Sequence, residues 1–143
     1  MANTPNSSIE KAIFDTLTNN ATLQALGTSG VVTVYHRVAE STEQNPYVVF
    51  QSMTPGLDSY TMSTRAYIEA VYKIEAYARG NSNKKAQDMA DAIDAALTDQ
   101  TIAVTGWGLM YLRREQIIEL TDQTAGVLWN RCGGLFRVTV RPT

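Results

Sequence analysis

The 143 residues contain a single histidine and a single cysteine, and both shortages narrow the chemistry. One cysteine excludes an intramolecular disulfide and cannot build a thiolate zinc site. Cys132 reads as a small apolar core residue in a reducing compartment. Any Ser-His-Asp or Cys-His arrangement would have to use His36. It ends a short β-branched stretch, and no elbow-type motif stands elsewhere to serve as its nucleophile. It reads as a polar residue where a strand meets a loop.

A glycine-rich phosphate loop is also lacking. Gly106-Trp107-Gly108 has neither the further glycine spacing nor the Lys-Ser/Thr pair, so it reads as a turn with Trp107 anchored in the core or at an interface. No apolar run approaches the roughly 20 residues of a membrane span. Met1 to Ser8 are polar and carry no signal-peptide core. A basic excess is missing too: 12 basic residues stand against 14 acidic ones, a net charge of −2, which argues against a dedicated nucleic-acid binder. These absences point to a protein made and used in a cytoplasm, with no membrane partner and no cofactor.

What remains is an ordinary globular composition. Hydrophobic residues make up 44% and charged ones only 18%, which leaves surface for a partner to cover. The length fits a single domain over 1–143, with residues 1–6 as a loose tail.

Ser7 with Glu10 fits a capping box, and Ile9, Ala12, Ile13 and Leu17 then form one helical stripe. Ala21 to Leu26 fits a short second helix after Asn19 and Asn20. Gly27 and Gly30 bracket a turn. Val31 to His36 reads as a strand and Arg37 to Asn45 as a polar loop. The stretch Asn45-Pro46-Tyr47-Val48-Val49-Phe50-Gln51 opens a second strand, since proline forbids a helix just before it. Thr54 to Arg65, with Pro55 and Gly56, reads as a connection too long for a tight hairpin.

Ala66 to Ala78 alternates strictly. Ile68, Ala70, Tyr72, Ile74 and Ala76 make an apolar face; Tyr67, Glu69, Val71, Lys73, Glu75 and Tyr77 make a mixed one. Such a strand would run ~40 Å, so one end is expected to project. Ala86, Met89, Ala90, Ile93 and Leu97 mark a helix. A short strand at Ile102 to Val104, a long one over Leu109 to Leu120, and a last one over Val127 to Arg141 complete the pattern. Gly133 and Gly134 break that last strand at a bulge or close backbone approach. The fold class is therefore α+β: a single mostly antiparallel sheet of four to five strands with two main helices packed on one face.

Charged groups offer little chemistry. Asp88, Asp91 and Asp94 step along one helix and read as a solvated face, because a calcium site wants a tight loop of converging oxygens. Glu115 and Glu119 fall on the same face of a strand with no pocket implied. Arg113, Arg114, Arg131, Arg137 and Arg141 cluster in the last third, where interface salt bridges fit better than nucleic acid because Glu115 and Glu119 dilute the positive field.

The order of these segments resembles the tail-completion or tail-terminator family of long-tailed phages and prophages. The resemblance is carried by Ala21 to Gly27, Val31 to His36, Asn45 to Gln51, the strand Tyr67 to Ala78, the helix Ala86 to Leu97 and the ending Phe136-Arg137-Val138-Thr139-Val140. Thr98 to Gly126 contributes nothing to it. The resemblance implies a structural virion protein and not an enzyme, at the head-proximal end of the tail. It implies a homo-oligomeric ring, usually a hexamer, that caps the major tail tube protein, stops tube polymerisation and meets a head-completion or stopper protein. DNA would pass through the lumen without sequence-specific binding. Another neck or minor tail component, such as a head-completion protein, is the alternative. The candidate subunit or tail-tube interface comprises Glu40, Glu43, Pro55, Leu57, Tyr60, Met62, Arg65, Arg113 and Arg131.

Overall fold

The structure is a computed structural model and describes residues 4–40, 42–60, 65–124 and 126–143. Among these, α1 (Asn6–Thr18), α2 (Ala21–Gln24), β1 (Thr33–His36), β2 (Tyr47–Tyr60), β3 (Arg65–Arg79), α3 (Lys84–Leu97), β4 (Trp107–Thr124) and β5 (Val127–Pro142) follow in that order.

The helix α1 buries the expected stripe of Ile9, Ala12, Ile13 and Leu17. Its start differs from the expected capping box. Pro5 is the N-cap, no side chain caps the helix, and the Ile9 N–H donates to the Pro5 carbonyl at 2.9 Å. Proline's fixed φ suits a helix start without a side-chain cap. In α2, Asn20 supplies the cap: its side chain accepts from the Leu23 N–H at 2.9 Å.

The strands form one mixed sheet in the order β1-β2-β3-β5-β4. β1 and β2 are parallel and every other neighbouring pair is antiparallel. Because the two strands are parallel, β1 is not joined to β2 by a tight hairpin. α3 packs on β3, β5 and β4, α1 packs on β1 and α3, and the short α2 also rests on α3. The two main helices expected are α1 and α3, and the short helix expected over Ala21 to Leu26 is α2, four residues long.

The stretch Thr54 to Arg65 corrects the expected long connection. β2 continues through Tyr60 and β3 begins at Arg65, so most of the stretch lies in the arms of an extended hairpin. Pro55 and Gly56 looked like strand breakers. They occupy a bulge between Thr54, paired with Val71, and Leu57, paired with Glu69. No described strand pairs with β2 on its other side here, and an edge strand tolerates a proline that offers no N–H.

β5 is continuous through Gly133 and Gly134, so the expected break is absent while the expected close approach is real. A Cβ at Gly133 would lie 2.0 Å from the Ile74 carbonyl oxygen, and one at Gly134 2.4 Å from that of Gln116. The bulge sits across from them, in β4 between Arg114 and Gln116. Residues 102–104 form no strand, although Val104 is buried.

The core lies under the helices. Tyr72, Phe50, Phe136, Ile74, Met89 and Leu112 are among its largest fully buried side chains. Trp107 is nearly buried at the start of β4, and Cys132 is buried in β5. Burial pushes the Cys132 thiol pKa up.

Candidate functional site

The other sheet face carries most of the organised polar chemistry. On β3 it presents Glu69, Lys73, Glu75 and Tyr77; on β5 it presents Trp129, Arg131 and Arg137. Two ionic groups span the strands. Arg137 donates to Glu69 at 2.8 Å and to Glu115 at 2.6 Å and 3.0 Å. Arg131 donates to Glu75 at 2.9 Å and to Asp122 at 3.0 Å, and Lys73 stands 3.5 Å from Glu75. The Arg137 hydrogen bond holds the Glu115 carboxyl below its usual range. The Glu75 side chain is only 2% exposed although no helix covers it. Its burial comes from long neighbours across the strands, and Arg131 compensates its charge.

An aromatic group adjoins the Arg131 network. Tyr47 stacks on Tyr77 with ring centres 4.6 Å apart, and meets Trp129 edge-on at 5.3 Å and Tyr35 at 5.8 Å. Arg131 lies 5.3 Å from the Tyr77 ring centre and Arg79 5.8 Å from that of Trp129, distances suited to cation–π attraction. The Tyr35 hydroxyl donates to Glu43 at 2.6 Å, which with burial pushes its pKa up to about 12. Burial pushes Tyr47 up to about 12 as well. Residues 37–40 fold toward these rings and leave a hollow of about 390 Å³.

The expected interface residues divide between distant places. Glu40 is exposed and, with Glu43, lines the hollow beside Tyr47 and Tyr77. Leu57 is 61% exposed in the outer arm of β2. Pro55, Tyr60 and Arg65 belong to the hairpin arms by their backbone; their side chains, and all of Met62, lie outside the described residues. Arg113 is exposed and pairs with Asp99 at 2.7 Å. Arg131 is engaged within the chain. Of the clustered arginines, Arg114 also has an internal carboxylate, Asp94, at 3.5 Å.

Glu115 and Glu119 do not share a face. The bulge between Arg114 and Gln116 sends Glu115 to Arg137, while Glu119 turns toward α3 and accepts from Gln87 at 3.1 Å. An inserted residue flips the alternation, which counting by twos cannot foresee.

Sequence reasoning missed the aromatic group. Its signal was present: Tyr47, Tyr77 and Trp129 occupy like-facing positions of their strands, but only the register aligns them. His36, Asp88 and Asp94 have partners within the chain. His36 stacks on Phe50 at 4.9 Å, with Nε2 3.5 Å from Glu10. Asp88 pairs with Lys84, and Asp94 hydrogen-bonds with Thr98 and pairs with Arg114. No group of His, Cys, Asp and Glu among the described residues is disposed to hold a metal. No helix among them is long and apolar enough to cross a membrane.

A mixed sheet with one helix-covered face, and with many polar groups of the other face paired to one another, defines an α+β protein. Residues 11–141 match the profile of the family described as tail completion protein gp17, and the chain belongs to that family. It is a phage tail structural protein, and so a component of the virion. Among solved structures it is similar to a chain of the virion of a native gene transfer agent particle. That likeness has a TM-score of 0.78 at 18% identity and covers 98% of this chain and 99% of the other. A second solved chain superposes with a TM-score of 0.58 at 13% identity, covering 96% of this chain and 94% of its own. No curated protein matches the sequence.

Proposed function

We propose that the chain is the ring-forming tail terminator. Copies of it, six in the family's usual arrangement, close on the head-proximal end of the tail tube. The ring stops the tube's polymerisation and offers its other side to a head-completion or stopper protein. The observation that carries this reading is the family match over nearly the whole chain. The likeness to a chain of a virion particle over its full length supports it through the fold.

The physics agrees. A ring needs two different patches on each copy that join head to tail and close. The sheet has two different borders, β1 with the outer arm of β2 on one side and β4 on the other. Passage of DNA asks for a lumen that does not grip phosphates. The net charge is −2, and Arg113, Arg114, Arg131 and Arg137 all face carboxylates of their own chain. The hairpin arms, with exposed Leu57, are the proposed contact with the tail tube protein.

Native mass spectrometry and negative-stain imaging of the purified protein, alone and with tail tubes, test the proposal. Rings seated on one tube end are expected. A chain that stays monomeric at high concentration with tubes present would sink it. Removing residues 54–65 is expected to block tube attachment or ring formation; an intact ring that still caps tubes would remove the arms from the mechanism.

A further inference from the structure

We infer that neighbouring copies join sheet to sheet, the outer edge of β4 in one copy adding antiparallel to the outer edge of β1 in the next. The inference rests on the ring reading above and says where the ring closes.

The backbone hydrogen bonds identify which parts of the two borders are open. On the β1 side, the Gln24 amide takes both backbone groups of Val32. Its Nε2 donates to the carbonyl at 3.0 Å and its Oε1 accepts from the N–H at 2.8 Å. The Arg37 N–H turns inward to Phe50 at 2.9 Å. Alternation then turns the Val34 and His36 N–H groups outward, where no described strand meets them. On the β4 side, the Asp99 N–H donates to the Leu112 carbonyl at 2.9 Å and Thr98 Oγ1 accepts from the Arg114 N–H at 3.2 Å. Residues 98–99 thus stand where a next strand would, but only there. After the bulge at Glu115 the outward groups belong to Ile117 and Glu119, which have no described strand partner.

The two open stretches fit each other in level, sense and outline. Thr33, Tyr47, Tyr77, Arg131 and Leu120 lie in one row of the sheet, and His36, Phe50, Ile74, Gly134 and Ile117 in another. β1 runs with β2, β3 reverses, β5 reverses again, and β4 ends antiparallel to β1. A copy turned about a ring axis therefore brings its β1 antiparallel to the first copy's β4. Val34 then faces Glu119 and His36 faces Ile117; the backbone groups of Val34, Glu119 and Ile117 and the N–H of His36 point across the joint, while the His36 carbonyl accepts from the Val38 N–H at 3.0 Å. The outlines interlock as well. The row of Leu112, Val138 and Ala70 lies beyond the reach of β1, so the border steps inward there. On the opposite border that row is where residues 98–99 step outward.

Exposed apolar side chains lie along both stretches. Val31 is 57% and Val38 76% exposed beside β1, and Ile117 is 61% and Leu120 50% exposed on β4. A bare strand edge carrying such residues invites another strand. A second β4 is the poorer occupant, because it would crowd Glu119 and Asp122 of both copies onto one short edge, and like charges across a strand pair are unfavourable.

Cysteine pairs in the full-length chain test the joint. In Thr33→Cys/Leu120→Cys and His36→Cys/Ile117→Cys each new thiol would meet its partner on the next copy, within the roughly 4.4–6.8 Å Cα separation that a disulfide spans. Mild oxidation is expected to yield a ladder of linked multimers from at least one pair. The ladder should collapse under reductant and be absent from each single substitution. Rings by native mass spectrometry with no ladder from either pair would overturn the joint while leaving the ring reading intact. Covalent dimers from Leu120→Cys or Ile117→Cys alone would overturn it in favour of β4 pairing with itself. A chain that never forms rings would overturn the ring reading, and the joint with it.

Discussion

The two faces of β3 are buried by different means. Ile68, Ala70, Tyr72, Ile74, Ala76 and Ala78 lie on the helix-covered side and are at most 3% exposed. Area removed from water stabilises that side, at about 25 cal/mol per Å² of apolar surface. Glu69, Lys73, Glu75 and Tyr77 alternate with them on the other side, with no helix above. There Glu75 reaches the same degree of burial through charge partners and aromatic neighbours. The first arrangement tolerates any close-packed apolar set. The second depends on each partner, because an orphaned buried charge costs far more than an intact pair contributes.

Substitutions can break this contrast or sharpen it. The largest effect is expected at Gly133, where both faces depend on strand spacing. Gly133→Val would press a Cβ onto the Ile74 carbonyl, 2.0 Å away, and should cost more than about 4 kcal/mol, leaving no cooperative thermal melt. A normal melt would mean that β3 and β5 can part at little cost.

Next comes the charged face. Arg131→Leu leaves Glu75 buried without its closest cation and is expected to cost about 3–5 kcal/mol in urea unfolding. Glu75→Leu/Arg131→Leu should recover most of that loss. A double substitution costing the sum of the two singles would show that the pair acts through packing and not through charge.

On the helix side the corresponding test should be mild. The Tyr72 hydroxyl is buried and makes no hydrogen bond of good geometry, and burial together with the nearby Glu10 charge holds its pKa well above the ordinary tyrosine value. Tyr72→Phe removes an unsatisfied polar atom and is expected to stay within about 1 kcal/mol of wild type, or to stabilise. A loss as large as that of Arg131→Leu would erase the distinction between the faces.

The smallest effect is a pH dependence at the rim. The Arg137 hydrogen bond lowers the Glu115 pKa. The stabilisation is therefore present above the carboxyl's unfolded value and is lost as pH falls through the lowered folded value. The urea midpoints of wild type and Glu115→Gln should differ at pH 7 and converge in strong acid. A gap that persists in acid would assign the effect to shape and not to charge.

Much of the fold was legible in the residues. The apolar stripe of α3 and the strict alternation of β3 each repeat one period over a dozen or more positions, and period is a local property. The parallel seating of β1 was not legible, because a four-residue strand carries no mark of its partner's direction. Pro55 and Gly56 misled for a related reason. Their meaning as breakers or as a bulge depends on whether another strand lies outside β2. Of the candidate site, the residue types were legible and their company was not. Arg131 and Glu75 stand 56 positions apart in the chain and meet only because β3 and β5 are neighbours.

The sequence by itself determined the longer periodic segments, their order, the dry face of the sheet and the absence of a second histidine or cysteine, since each follows from composition or short-range periodicity. The tertiary structure alone decided the register, the strand order and which borders stay open. Backbone hydrogen bonding pairs strands without regard to side chains, so register is set by bulges and packing summed over the whole sheet. Those same decisions fix which charges find partners and which edges remain for a neighbouring copy.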